Sequence, residues 1–300
     1  MPGCLKKHKN VALLMTQVRS MKNKNDSNTK PSPGSTGRDS LEGDPLGAQI
    51  KEEKRYGPLQ DLVFSNNDSW VKRYRQLVCG DTGNGFLLKF ELITGLVGGL
   101  PGAVGFALRK YLYKYIIKQM GDNVIFGRNI SIGHPQQIHI GHNCLIADNC
   151  ELNASGEDGE IIIGNNVTIG RSAFIRTKGG KIIIGDNSAI GARSVLVTRN
   201  TDIIIGKNHM MGAFVYIGTG SHQYEIKDIP MNRQKYIAKP VEIEEDVWIG
   251  IRATILPGSR IRTGSVIGAC SLVTGEIGPY QVAAGTPAKK IKNRGRNHIG

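Results

Sequence analysis

The side chains able to do chemistry in this sequence are few and scattered. His222 lies in the stretch GTGSHQYEIKDIPMNRQKYIAKP, and a neutral imidazole accepts a hydroxyl proton near pH 7. His134, His139 and His142 crowd into the segment GHPQQIHIGHN, a density that calls for a zinc test. Five cysteines, Cys4, Cys79, Cys144, Cys150 and Cys270, form an odd set without a C-x-x-C pair. A disulfide framework or a Cys-based zinc site therefore fits poorly, and a reducing cytoplasm fits well. No Ser-His-Asp or Cys-His signature stands out, so a covalent enzyme intermediate has no obvious nucleophile. Lys289, Lys290, Lys292 and Arg294 follow GTPAKK and suit either phosphate contacts or a solvated basic tail.

The chain that must position these groups has 300 residues, 39% apolar and 21% charged, with a formal net charge of +14. That balance is globular and excludes global disorder. Its 39 glycines are nearly twice the usual ~7% share, while aromatics are only 6%, so the chain turns often without a large aromatic core. Glycine follows no three-residue period, which excludes collagen. Behind the basic start, the apolar stretch Val11 to Met15 is shorter than the ~7 to 15 residues of a signal-peptide core.

Residues 1–50 are polar and rich in Pro, Gly and Ser, and read as a disordered basic tail. Without aromatic interleaving its charge gives no case for nucleic acid. Residues 51–122 read as a helical, membrane-associating region. Leu92 to Leu108 is charge-free but holds Pro101 and five glycines, so it should break near its middle rather than span a bilayer. The sequel RKYLYKYIIK mixes Tyr111, Tyr113 and Tyr115 with Arg109, Lys110, Lys114 and Lys118, as expected at a lipid headgroup layer. The alternative is a helical pair packed on the protein's own core.

From residue 123 the sequence is periodic. Ile243, Ile249, Ile255, Ile261, Ile267 and Val273 recur every six residues. The same register appears in Phe126/Ile132, Ile140/Ile146/Leu152, Ile163/Ile169/Ile175, Ile184/Ile190/Leu196 and Ile205/Met211/Ile217. Of these 20 positions 12 are followed by Gly, and four residues on there is often a small residue such as Ala253 or Ser265. A period of six is no helical face, and a simple alternating sheet needs no glycine at a fixed phase. Three short strands per coil, with each aliphatic side chain on the axis, satisfy both constraints. The extra residues fall after the third hexad, in ASGEDGE, TKGGK and TRNTD, so one corner of the prism should collect the loops. His209 takes a small-residue position in KNHMMG and reads as a buried, hydrogen-bonded structural histidine.

At these residues the segment 123–291 resembles the hexapeptide-repeat acyltransferases, most plainly in KPVEIEEDVWIGIRATILPGSRIRTGSVIGACSLVTGEIGPYQVAAGTPAKKI. The resemblance implies a mainly β chain: a left-handed parallel β-helix of about six to seven coils, preceded by the helical N-terminal region. It also implies an active-site loop at 219–240 and leaves 292–300 as a basic C-terminal tail. It implies a sugar O-acetyltransferase-like enzyme that uses acetyl-CoA, with no metal, in a homotrimer. In related enzymes a His before an acidic, proline-containing stretch is the general base, which maps to His222. Coenzyme A contacts map to Ile251, Ala269 and Thr274, with Lys289 and Lys290 near its phosphates. Trp248 maps to the acceptor pocket, its alternative being a corner aromatic packed on the loop.

Some sugar acetyltransferases place an Asn where GARSVL has Arg193, which weakens the link to the maltose and galactoside enzymes. Zinc lyases share the fold, but their three histidines come from successive coils, whereas His134, His139 and His142 fall on one. The pieces Gly57 to Ser65, Lys72 to Val78 and Leu100 to Ala103 echo enzymes that modify surface polysaccharides or lipid-linked sugars. The expected acceptor is therefore a sugar or glycolipid hydroxyl, met in the cytoplasm at the inner face of the membrane. A noncatalytic β-helix scaffold and an amine-directed acetyltransferase remain the alternatives.

Overall fold

The structure, a computed structural model, describes residues 69–295; the expected tail at 1–50, the Gly57 to Ser65 piece and the last five residues lie outside them. Three helices come first: α1 (Trp70–Cys79), α2 (Asn84–Val97) and α3 (Gly102–Leu112). Behind them the chain coils through three parallel sheets, here faces A, B and C, which repeat in that order along the sequence. Among the described residues face A has eight strands from Gln119–Met120 to Glu276–Ile277, and face C has seven. These make seven complete coils of a parallel β-helix, begun by Gln119 rather than residue 123 because Gln119 pairs with His139 of the next coil.

All twenty positions of the six-residue register are buried, the most exposed at 6%. Identical positions therefore stack along the axis and remove apolar surface from water at every coil. The glycine at fixed phase answers to close approach: a Cβ on Gly141 would come within 2.6 Å of the Gly164 carbonyl oxygen one coil above. Three residues after each face A aliphatic, the backbone enters the left-handed region, at Asn123, Asn143, Asn166, Asn187 and Asn208 with φ of 55–57°. Asparagine tolerates that conformation better than most residues. The side-chain amides also form a ladder up the A/B corner, Asn123 to Asn143 at 3.2 Å, Asn143 to Asn166 at 3.2 Å, Asn166 to Asn187 at 2.9 Å and Asn187 to Asn208 at 3.3 Å.

The C/A corner carries the extra residues, as expected, but two of the three insertions do not protrude. They lengthen strands Glu151–Ser155 and Phe174–Lys178, which pair through Ser155 and Lys178 before turning at Gly156, Gly179 and Gly180, all at positive φ. Pairing the added backbone satisfies groups that a loop would leave to water.

The small inward positions at the corners hold serines that donate to carbonyls of the next coil, Ser188 to Gly206 and Ser194 to Gly212, each at 3.2 Å. His209 occupies the same position and is fully buried, but neither ring nitrogen has a hydrogen-bond partner. The expected hydrogen-bonded histidine is thus corrected: the imidazole is present as packing volume. Burial draws its pKa down to about 4, below the ~6.5 of an unfolded chain. The unfolded state then binds the extra proton, so stability is complete above about pH 6.5 and falls as pH drops toward 4. His209→Leu should abolish that acid-dependent loss, up to about 3 kcal/mol, and leave neutral-pH stability equal or higher. Denaturant unfolding between pH 7 and 4 reads it directly.

The helices close the N-terminal end of the column. α2 buries Leu87, Phe90 and Val97, and the apolar segment breaks at Gly98 to Pro101 before α3, as its glycines and proline dictate. Among the described residues no helix is long and apolar enough to cross a membrane. Two members of the expected headgroup layer of tyrosines and cations point inward instead. Arg109 and Tyr113 are fully buried: Arg109 donates to the carbonyls of Phe126, Val97 and Leu100 at 3.0, 2.9 and 2.8 Å. Tyr113 stacks edge-on to Phe126 at 5.0 Å. Tyr111, Lys114, Tyr115 and Lys118 face outward at and just beyond the end of α3, and Lys110 is half exposed.

Candidate functional site

Among the described residues the longest excursion of the column begins after Gly218, where the chain leaves face C. It forms an antiparallel hairpin, Gly220–His222 against Tyr236–Ala238, and re-enters face A at Val241–Ile243. Gly218 and Gly220 are required because the Tyr216 and Tyr236 rings occupy the space a Cβ would take. Beyond the hairpin the loop closes around Gln234, whose Nε2 donates to the carbonyls of Ile226 and Ile229 at 2.8 and 2.9 Å. Nothing in the sequence marks that glutamine, since its role depends on a loop closing over it.

His222 sits exposed at the hairpin's outer end, directly opposite Tyr236. The two rings meet edge to face at 5.1 Å and 80°, and the Arg199 guanidinium covers Tyr236 at 4.4 Å. Burial raises the Tyr236 pKa, so its hydroxyl stays protonated. The arrangement fixes one side of the imidazole by packing and leaves it open to solvent, as a group that takes a proton from a diffusing hydroxyl must be.

The other expected site residues lie elsewhere on the same column. Trp248 points outward from face B, half exposed, between Met210 and Val266 of adjacent coils. Ile251 and Ala269 stack at the B/C corner, both exposed; a Cβ on Gly250 would come within 2.6 Å of the Ala269 nitrogen. Thr274 is exposed at the C/A corner, two coils above Gly218. Lys289 and Lys290 are exposed on the last strand, Ala288–Asn293, which folds back antiparallel on Gln281–Gly285 at the end of face B. Lys292 belongs to that strand rather than to a tail. Arg294 has partners within the chain: its Nη1 meets Asp246 Oδ2 at 2.7 Å and the Gly264 carbonyl at 3.1 Å, which ties the strand down.

Thus within one chain the hairpin hangs from the C/A corner while Trp248 looks out from face B. At the B/C corner, Arg193 and Arg252 cover Phe214 from adjacent coils at 5.5 and 5.7 Å. In sequence these three residues are far apart and only the coil register makes them neighbours.

The three clustered histidines do not converge. His134 is at a corner turn, His139 on face A beside Gln119 and Glu160, and His142 at the next corner, accepting from the Asp122 backbone at 2.9 Å. Burial lowers the pKa of both His134 and His139. Among the described residues no group of three or more His, Cys, Asp or Glu is placed to hold a metal ion.

Two segments match known repeat families: residues 240–275 the bacterial transferase hexapeptide (six repeats), and residues 181–218 the hexapeptide repeat of succinyl-transferase. A probable acetyltransferase of Mycobacterium tuberculosis is 39% identical over 79 residues, 26% of this chain and 26% of that protein. A chloramphenicol acetyltransferase of Escherichia coli is 38% identical over 95 residues, 27% of this chain and 45% of that one. The chain thus spans less than half the length of these curated relatives. Among solved structures, the N-acyltransferase AntD from Bacillus cereus, in complex with dTDP and 3-hydroxybutyryl-CoA, covers 63% of this chain and 89% of its own at 23% identity and a TM-score of 0.43.

Proposed function

We propose that the chain is a hexapeptide-repeat acyltransferase, like the repeat families and acetyltransferases it matches in part, and that it moves an acetyl group from acetyl-CoA to a sugar hydroxyl, in surface polysaccharide or glycolipid synthesis at the cytoplasmic face of a membrane. The observation that carries this reading is the hairpin: a rigid column presents one exposed, ring-packed histidine, His222, at its largest excursion. Function concentrates on such loops because the scaffold positions them without moving itself.

His222 acts as general base. It takes the hydroxyl proton while the acceptor oxygen attacks the thioester carbonyl, and backbone N–H groups hold the resulting oxyanion. Collapse breaks the C–S bond, and the imidazolium returns its proton to the departing thiolate. No bond to the enzyme forms at any stage. Ile251, Ala269 and Thr274 supply backbone contacts to coenzyme A, with Lys289 and Lys290 toward its phosphates. Since Trp248 and the hairpin lie on different sides of one chain, the acceptor pocket forms between copies, and the enzyme is a homotrimer.

Acetyl-CoA at a hundred times its dissociation constant should stabilise the fold by about 2.7 kcal/mol, read as a raised melting temperature. An unchanged melting temperature in millimolar acetyl-CoA would leave a noncatalytic scaffold as the better account. The acceptor is identified by mass spectrometry of surface glycans from cells with and without the gene, where one acetyl group should be missing.

A further inference from the structure

Helix α2 is apolar on two sides. Its inner side is already used, by Leu87, Phe90 and Val97, yet Leu88, Leu92 and Leu96 form a second stripe at i, i+4 and i+8 that is 54–69% exposed. The stripe continues through the break at Leu100 into Val104 and Leu108 of α3, at 37, 68 and 37% exposure. From α3 the apolar surface runs into a depression of about 400 Å³ lined by Phe106, Ala107, Lys110, Ile125 and Leu145. A helix apolar all round is one that is buried on all sides, and exposed apolar surface of this extent marks a docking site.

Charge decides what docks. Between residues 84 and 118 the exposed or half-exposed ionic side chains are Lys89, Lys110, Lys114 and Lys118 against the single acid Glu91. Glu91 is engaged by the Tyr74 hydroxyl at 2.8 Å. Lys114 lies over the rings of the exposed Tyr111 and Tyr115 at 6.0 and 5.2 Å, the pairing of amphipathic ring and cation that suits the boundary between headgroups and acyl chains. A two-fold contact with a second copy of the chain would set these lysines against one another. An anionic surface pairs with them.

We propose that the outer side of the α2–α3 hairpin, from Leu88 to Leu108 with Lys114 and Lys118 at its edge, is a docking surface for an anionic lipid bilayer. The leucines enter the acyl boundary in the plane of the membrane, the lysines meet the lipid phosphates, and the column stands outside with its hairpin at C/A free. This rests on the membrane placement proposed above but not on the catalytic assignment.

The test is co-sedimentation of the full chain with phosphatidylcholine vesicles, with and without phosphatidylglycerol. Binding is expected to the anionic vesicles and to be much weaker to the neutral ones. Leu96→Glu with Val104→Glu, 69 and 68% exposed and so expected to leave the melting temperature unchanged, should abolish it. Lys114→Gln and Lys118→Gln should each weaken it about fivefold. Three results overturn the proposal: no binding to anionic vesicles, undiminished binding by the double glutamate variant, or a change in that variant's oligomeric state without a change in vesicle binding. His222→Ala protein is measured in parallel and should bind vesicles as the parent does, so loss of catalysis and loss of docking are read separately.

Discussion

Replacing His222 by alanine should lower acetyl transfer about 10² to 10⁴-fold, the usual contribution of a positioned general base. The fold should be indifferent, because the side chain is exposed on a hairpin outside the column and contributes only an edge contact to Tyr236. Acetyl-CoA binding should persist for the same reason. His222→Asn keeps a polar side chain of similar reach without a basic nitrogen, and should be as inactive as alanine. That equality separates proton transfer from mere occupancy of the position. Steady-state transfer to the identified acceptor, with the acetyl-CoA melting shift as control, reads both variants. An alanine enzyme keeping more than about half its activity would mean that another group is the base, or that removing the hydroxyl proton does not limit the rate.

The second large effect is structural. Arg109 is fully buried, and its guanidinium supplies the donors for the carbonyls of Val97, Leu100 and Phe126. The first two lie at the helix break, where the Val97 carbonyl otherwise accepts only from the Leu100 N–H at 3.3 Å, and the third belongs to the first coil, so one planar group joins both helices to the column. Arg109→Met fits the space but strands the Phe126 carbonyl and takes the guanidinium donor from those of Leu100 and Val97, the last of which keeps the Leu100 N–H at 3.3 Å, and should cost about 2–4 kcal/mol. That is a large share of a typical 5–15 kcal/mol domain stability. Arg109→Lys, one point donor in place of a fork, should recover only part of it. Denaturant unfolding followed by far-ultraviolet circular dichroism measures both, and a loss under about 1 kcal/mol for methionine would show that water or backbone movement satisfies those carbonyls.

The β-helix was legible in the sequence because its determinants are local and repeated. Each of the twenty register positions stacks on the equivalent position of the neighbouring coil. A six-residue period therefore states the pairing register as well as the strand, and glycine at fixed phase states how close the coils come. The break at Gly98 to Pro101 was legible for an equally local reason: the backbone of those residues cannot continue a helix. The asparagine ladder left its own signal in the recurring Asn at 143, 166, 187 and 208, one that only the left-handed corner conformation explains.

What the tertiary structure alone decided is where side chains of mixed character point. RKYLYKYIIK reads as one band of rings and cations, yet the column beneath α3 takes Arg109 and Tyr113 inward and leaves Tyr111, Lys114 and Tyr115 outside. The end of Phe126 and the carbonyls of the helix break set that choice, and neither is near in sequence. Likewise Arg294 became a tether to Asp246 rather than a free cation, and His209 a buried ring without partners, because the groups that satisfy or strand a polar atom come from coils 20 to 50 residues away. Composition and period report what a residue is and how often it recurs; the energy of a buried polar group depends on atoms that only folding brings within about 3 Å.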